Sequence, residues 1–129
     1  MKGHARGLMT PHATTVRPEM PLKDVARVLV AAGFGGVPVV DDGGELVGFL
    51  SDLDLAQALL DRGLEGDAAG AMTSGVVSID EFATTDEVIK TLRDFKVRYL
   101  PVVRQGVVVG IITPLDVIRH FVGRGEDVA

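Results

Sequence analysis

Cysteine and tryptophan are both absent from the 129-residue sequence, and only 5% of its residues are aromatic. Without cysteine the chain can form no disulfide, no thiolate zinc site and no cysteine nucleophile. Proteins of reducing compartments typically lack disulfides. The core must therefore be mainly aliphatic, which a hydrophobic share of 47% allows.

Long apolar runs are also missing. No stretch approaches the roughly 20 apolar residues that a membrane helix requires. The first seven residues lead into no apolar segment of the kind found in signal peptides. We therefore expect a cytoplasmic protein without a membrane span, whose length suits one compact module.

Basic residues are outnumbered, since 13 Lys and Arg stand against 18 Asp and Glu, for a net charge of −5. This balance disfavours nucleic acid as a partner, because nucleic-acid binders usually carry a basic stripe or a net positive charge. The three histidines show no metal-ligand spacing, and neither Ser51 nor Thr113 has a histidine close by in sequence to activate it. We expect neither a metal site nor an enzyme.

An internal repeat organises the chain. Met9-Thr10 recurs 63 residues later as Met72-Thr73. At the same offset, Val37-Pro38-Val39-Val40 recurs as Leu100-Pro101-Val102-Val103. Agreement in both order and spacing indicates two copies of one structural unit.

The most informative repeated segment follows a glycine-containing turn. Gly48 to Asp54 matches Gly110 to Asp116, with the offset shortened by one residue in the turn, where length changes are tolerated best. In each copy a hydrophobic strand ends in a hydroxyl residue, and an aspartate follows three positions later at the start of a helix. This Ser/Thr-x-x-Asp pattern is typical of a helix capping box, and the same groups could also hold a ligand.

Each copy reads as β-α-β-β-α, which gives an α+β (α/β) fold of two tandem repeats packed as a pseudo-twofold pair. Apolar spacing predicts helices from residue 22 to Gly33, over about 52–61 and 85–96, and from 114 to about 122. Strands are predicted at 37–40, 46–50, 99–103 and 107–113, with short extended pieces at 14–18 and near 78. The helix residues expected inside are Leu22, Val25, Ala26, Leu29, Val30, Leu55, Ala56, Leu59, Leu60, Val88, Ile89, Leu92 and Phe95.

The expected boundaries are a first repeat at 8–62, a linker at 63–70 and a second repeat at 71–123. Residues 1–7 and 124–129 are expected to be flexible termini. Neither repeat is large enough to bury a sufficient core alone, so the two should form one module.

The duplicated h-P-V-V and G-h-h-[ST]-x-x-D motifs resemble those of the cystathionine-β-synthase (CBS) domain pair, over nearly the whole chain. The resemblance implies a regulatory sensor that binds an adenosine-type ligand, such as AMP, ADP, ATP or S-adenosylmethionine, in clefts between the repeats. It also implies a disc-like homodimer and an unidentified regulated protein. The alternative is a scaffold that dimerises without a ligand.

The resemblance also assigns the site residues. In the second copy, Asp116 would bind the ribose hydroxyls and Thr113 the phosphate. The sequence itself places the basic residues Arg98, Arg119 and His120 near this motif. The adenine contacts of the second copy would come from Ser78, Ile79, Tyr99, Leu100 and Pro101. The matching residues of the first copy are Thr15, Val16, Gly36, Val37, Pro38, Ser51 and Asp54.

The two copies differ where a phosphate would approach. Pro114 begins the second helix without adding charge, whereas Asp52 adds a carboxylate at the start of the first. Arg17 in the first copy, set against Asp80 and Glu81 in the second, argues the other way. We expect the second copy to be the better site for a phosphorylated ligand.

Overall fold

The computed structural model describes residues 3–33 and 35–124, so residues 125–129 of the predicted flexible C-terminal segment lie outside the described residues. Its helices are α1 Ala5–Leu8, α2 Leu22–Ala32, α3 Asp52–Arg62, α4 Ala68–Ala71, α5 Thr85–Phe95 and α6 Pro114–Arg124. Its strands are β1 Thr10–Pro11, β2 Gly36–Val40, β3 Leu46–Ser51, β4 Ile79–Asp80, β5 Leu100–Arg104 and β6 Val107–Ile112. No described helix is both long and apolar enough to cross a membrane.

These elements form two compact units. The first-repeat unit consists of residues 14–76 and 106–108. The second-repeat unit consists of the described residues in 1–13, 77–105 and 109–129. The Met-Thr motif that precedes each copy therefore packs in the unit built mainly from the other copy.

Two short helices lie where the sequence pattern indicated none. The turn α1 lies partly within the terminus expected to be flexible, and its residue Ala5 is fully buried. The turn α4 begins inside the expected linker, where the Asp67 side chain accepts a hydrogen bond from the Gly70 N–H at 3.0 Å. One-turn helices leave no readable period in a sequence, because they contain about one repeat of the helical pattern.

In the first-repeat unit, β2 and β3 form an antiparallel hairpin with a bulge between Val39 and Val40. The Asp41 side chain closes the turn, accepting hydrogen bonds from the N–H groups of Gly43 and Glu45, each at 2.9 Å. Helices α2 and α3 cover one face of this hairpin. The buried core consists of Val16, Leu22, Val25, Leu29, Val37, Val39, Leu50, Leu55, Ala58 and Ala68.

In the second-repeat unit, the sheet order is β1-β6-β5-β4. Strand β1 is antiparallel to β6, and β4 is parallel to β5. Helices α1, α5 and α6 pack together beside this sheet. The buried core consists of Ala5, Leu8, Ile79, Val88, Leu100, Val102, Ile112 and Val117.

The mixed α+β fold confirms the predicted class, and α2 ends at Gly33 in the left-handed conformation (φ 70°) that glycine permits. The predicted helix interiors are wrong at several positions. Val30 is 85% exposed, Leu60 81%, Phe95 62% and Ile89 36%, and Ala56 is also exposed. The apolar stripe of each helix is wider than the strip that its own unit covers, and a periodic pattern does not reveal that difference.

Candidate functional site

The first turn of α6 is closed by the side chains of Thr113 and Asp116. The Thr113 N–H donates to Asp116 Oδ2 at 2.8 Å, and the Asp116 N–H donates to Thr113 Oγ1 at 3.3 Å. The Thr113 hydroxyl also donates to Oδ2, at 3.1 Å. This reciprocal pairing is a capping box, so the helix-cap interpretation of the sequence is confirmed.

The second oxygen of Asp116 faces two further groups. The Thr10 hydroxyl of β1 donates to Oδ1 at 3.4 Å, and Arg119 Nη1 lies 3.5 Å from the same atom. Asp116 is only 8% exposed, whereas most of the Arg119 side chain is in solvent. A nearly buried carboxylate that already accepts hydroxyl donors has the chemistry needed to bind the hydroxyls of a ligand.

The same construction recurs at the start of α3. Ser51 and Asp54 form a capping box, with both reciprocal bonds at 3.1 Å. The Thr73 hydroxyl donates to Asp54 Oδ2 at 3.3 Å, as Thr10 does to Asp116. Asp52 adds a second carboxylate, which accepts a hydrogen bond from the Leu53 N–H at 2.7 Å. The first-repeat site therefore carries more negative charge at its helix start.

The repeated Met-Thr motif has a structural role that the sequence did not identify. Each threonine reaches the capping aspartate, and each methionine lies against the glycine that precedes the last buried strand residues. A Cβ built on Gly110 would lie 2.4 Å from Met9 Sδ, and one on Gly48 would lie 2.4 Å from Met72 Sδ. The recurrence of the motif was a visible signal, but its spacing did not show which copy each motif joins.

The structure brings together the two strands that carry the predicted adenine contacts of the second copy. Ile79 pairs with Val102 across the parallel β4–β5 ladder. Ile79, Leu100 and Pro101 are buried, Tyr99 is half-buried and Ser78 is exposed. These residues thus lie on the adjacent strands β4 and β5 or directly before them, with the more accessible Ser78 and Tyr99 just before the two strands.

The three predicted basic residues differ in how they are placed relative to Asp116. Arg98 is exposed immediately before Tyr99, and Arg119 contacts Asp116. His120 is directed toward the N-terminal segment, since its Nε2 lies 3.9 Å from the position of a Cβ on Gly3. It lies about 9 Å along the helix axis from Pro114, given a rise of roughly 1.5 Å per residue.

In the first copy, the short extended piece lies directly beside β2. Val16 pairs in parallel with Val39: its N–H donates to the Pro38 carbonyl at 3.0 Å, and its own carbonyl accepts from the Val40 N–H at 2.9 Å. Thr15 is half-buried, whereas Gly36, Val37 and Pro38 are buried.

In each unit an ion pair joins the short extended piece to the hairpin turn. The acidic and basic residues exchange places between the two units. In the second-repeat unit, Arg104 donates to both oxygens of the buried Glu81, at 2.6 and 2.9 Å. In the first-repeat unit, Arg17 pairs with Asp42. The hydrogen bond from Arg104 is the main cause that lowers the pKa of Glu81, and it outweighs the opposing effect of burial. Glu81 therefore remains ionised under ordinary conditions and holds the segment that contains Ser78 and Ile79.

A groove of about 330 Å³ lies on the helical side of the first-repeat unit, between α2 and α3. Its lining is almost entirely apolar, and of the described residues that border it Asp52 alone is charged. Such a surface suits another apolar surface better than a phosphorylated ligand. The lining residues are Ala26, Leu29, Val30, Asp52, Leu55, Ala56 and Leu59.

Within the described part of the chain, no three histidine, aspartate or glutamate side chains are arranged so that they could hold a metal ion.

Comparison with known proteins gives a consistent result. The sequence matches the family model of the CBS domain twice, over residues 5–61 and 66–123. It is 29% identical to hypoxic response protein 1 of Mycobacterium tuberculosis over 120 residues, which span 91% of this chain and 84% of that protein. A structure of hypoxic response protein 1 contains two coordinated zinc ions; it has a TM-score of 0.83 and 27% identity, over 92% of this chain and 98% of the other.

Two similar structures contain adenosine compounds. The structure of CBSX2 in complex with AMP has a TM-score of 0.84 and 28% identity, over 95% of this chain and 98% of the other. CBSX2 is a protein of Arabidopsis thaliana. The CBS domain pair of protein MJ0100, in complex with 5′-methylthioadenosine and S-adenosyl-L-methionine, has a TM-score of 0.84 and 26% identity, over 96% of this chain and 99% of the other.

Proposed function

The chain belongs to the CBS-domain family, and on that premise we propose that it is a regulatory module that binds an adenosine-type ligand at Thr113 and Asp116. The candidate ligands are AMP, ADP, ATP and S-adenosylmethionine. The module would signal ligand occupancy to a partner protein in the cytoplasm, and it would not act as an enzyme.

The observation that carries this proposal is the nearly buried Asp116 carboxylate at the start of α6. Among the described residues, its Oδ1 atom accepts a long hydrogen bond from Thr10, at 3.4 Å, and lies 3.5 Å from Arg119 Nη1. Two ribose hydroxyls can replace these weak contacts while Oδ2 continues to cap the helix. Hydrogen bonds to an ionised acceptor are the strong ones, so this exchange favours the ligand.

The remaining parts of the ligand would meet groups of the same unit. A phosphate is favoured at the start of α6, because a helix N-terminus carries partial positive charge and Pro114 adds no opposing charge. Arg98 and Arg119 supply nearby positive charge. The adenine ring would lie between the Ser78–Ile79 segment and residues 99–101, contacted largely through backbone groups.

The similar proteins support this choice of ligand class. One structure holds AMP and another holds S-adenosyl-L-methionine with 5′-methylthioadenosine, and the adenosine part is common to all three compounds. We therefore expect this chain to recognise a ribose and an adenine. The group attached at the 5′ position of the ribose has to be identified by experiment.

A thermal-shift panel tests the proposal directly. At 100 times its dissociation constant, a ligand stabilises the folded chain by about 2.7 kcal/mol, which raises Tm by on the order of 10 °C for a domain of this size. We expect AMP, ADP, ATP or S-adenosylmethionine to produce such a shift, and GTP at the same concentration to produce none. A flat response to all four adenosine compounds would favour the ligand-free scaffold instead.

The exposed apolar side chains on the helices support a homodimer. Val30 and Leu60 project from α2 and α3 of the first-repeat unit, and Ile118 and Val122 project from α6 of the second-repeat unit. Isolated apolar residues on a surface are ordinary, but Leu60 and Val122 occupy equivalent positions on the corresponding helices α3 and α6, which supports an interaction surface. We propose that a second copy of the chain covers these helices.

Val30→Glu is expected to convert the dimer into a monomer, because it places a charge where apolar surfaces would meet. Sedimentation velocity at micromolar concentration measures the change. Leu64→Glu is the matched control: Leu64 is also exposed, at 58%, but it lies beyond the end of α3. A wild-type chain that sediments as a monomer, or a Val30→Glu variant that remains dimeric, would contradict the proposed surface.

A further inference from the structure

The ring of Phe49 lies against the backbone of Gly36. A Cβ built on Gly36 would be 2.5 Å from Phe49 Cε1 and 2.9 Å from Cζ. Phe49 is only 9% exposed, so the ring is enclosed by protein. The ring of Phe49 therefore occupies the space that the missing side chain of Gly36 leaves open.

Strand geometry places this contact on a particular face of the hairpin. Val37 and Leu50 point into the core of the first-repeat unit, and side chains alternate along a strand. Gly36, Pro38 and Phe49 therefore share the opposite face, where Pro38 and Phe49 are direct partners across the ladder. Gly36 and Pro38 are two of the residues expected to contact an adenine ring in the first copy.

The second copy has the reverse arrangement. Tyr99 stands at the position equivalent to Gly36, and Ile111 stands at the position equivalent to Phe49. Tyr99 is half-buried, whereas Phe49 is buried. The second-repeat unit thus has an aliphatic side chain where the first has a ring, and its own aromatic residue is closer to solvent.

We infer that Phe49 occupies the place of the base in the first-repeat unit and closes that site, so that each chain binds one adenosine ligand, at Asp116. A planar apolar ring against the Gly36 backbone fills the space that an adenine ring would require. This inference rests on the proposed function and determines which of the two capping aspartates is available for ligand binding.

Isothermal titration with AMP, ADP, ATP and S-adenosylmethionine, each in a separate experiment, measures the number of ligands per chain. We expect the wild-type chain to bind one. Phe49→Ile introduces the residue that the second copy carries at this position, and we expect the variant to bind two. The double variant Phe49→Ile/Asp54→Ala should return to one, because the opened site would need Asp54 for the ribose.

The outcomes separate the two ideas. Two ligands per wild-type chain, or one per chain in a folded Phe49→Ile variant, would overturn the role of Phe49 and leave the proposed function standing. No binding of any of the four compounds to the wild-type chain would overturn the proposed function and this inference with it. If Phe49→Ile does not give the circular dichroism spectrum of the wild type, Phe49→Leu serves in its place with the same expected stoichiometry.

Discussion

Asp116→Asn is expected to weaken AMP binding by about 100-fold or more, because it removes the carboxylate that would accept both ribose hydroxyls. Two ribose hydroxyls that donate to a carboxylate contribute about 1.5–3 kcal/mol each, and 100-fold corresponds to about 2.7 kcal/mol. Asparagine offers one neutral oxygen and an N–H₂ group that cannot accept. Titration calorimetry with AMP on the purified variant measures the loss directly.

The substitution is chosen so that the fold survives. The asparagine oxygen can still accept the Thr113 N–H, which Asp116 Oδ2 now accepts at 2.8 Å. Asparagine is also favourable at helix starts, so the loss of stability should be about 1 kcal/mol, from the lost charge at the helix N-terminus. A thermal melt without ligand checks this expectation before any binding is measured.

Asp54→Asn is the matched control. It makes the same chemical change in the equivalent capping box, where Ser51 and Asp54 exchange hydrogen bonds at 3.1 Å. We expect a similar small loss of stability, with AMP affinity nearly unchanged, because the first-repeat site is closed. If Asp54→Asn abolishes binding and Asp116→Asn does not, the ligand site has been assigned to the wrong copy.

Much of the fold could be predicted because each local signal agreed with the next. The period of the apolar residues gave the four long helices, and Gly33 ended α2 as its position indicated. The repeated Ser/Thr-x-x-Asp pattern gave both capping boxes, since a helix cap depends on residues only three positions apart. Interactions of such short range are recorded in the sequence itself.

The features that the sequence did not reveal depend on contacts between distant residues. Thr10 and Asp116 are 106 positions apart, and only the folded chain shows that they are partners. The contact between Phe49 and Gly36 likewise requires the register of the β2–β3 hairpin. Gly36 alone is consistent with a helix end, a ligand contact or a neighbouring ring.

The exposed helix residues illustrate a second limit of prediction from the sequence. Val30 and Leu60 belong to apolar stripes of α2 and α3, and the period correctly identified the stripes. Which surface covers an apolar stripe depends on how the helix packs in the folded and assembled protein. The same pattern is produced whether the cover is the unit's own core or a second copy of the chain.

Gly110→Ala is expected to destabilise the second-repeat unit by about 1–3 kcal/mol, the range typical of an overpacked interior. The new Cβ would lie 2.4 Å from Met9 Sδ, 2.8 Å from Met9 Cγ and 2.9 Å from the Thr10 backbone oxygen. The Met9 side chain can turn away, but the Thr10 oxygen moves only if β1 shifts from β6. A thermal melt measures the cost as a fall in Tm of several degrees.

Gly123→Ala is the control for the effect of a glycine-to-alanine change itself. A Cβ on Gly123 meets no atom of the described residues within 4 Å, and the residue lies in α6, where alanine is preferred by up to about 1 kcal/mol. We expect this variant to melt at or slightly above the wild-type temperature. A Gly110→Ala variant that melts in the same way would show that the Met9 segment is not packed against β6.

The same variant connects the N-terminal segment with ligand binding, because a shift of β1 also moves the Thr10 hydroxyl away from Asp116 Oδ1. Gly48→Ala is sterically equivalent, with its Cβ 2.4 Å from Met72 Sδ and 3.1 Å from the Thr73 backbone oxygen. Both variants should lose stability, but only Gly110→Ala should change AMP affinity. Gly48→Ala affects the site of Asp54, which Phe49 closes to the ligand. Equal changes in affinity for the two variants would mean that the copies share the ligand, and that the asymmetry set by Phe49 and Asp52 does not decide where it binds.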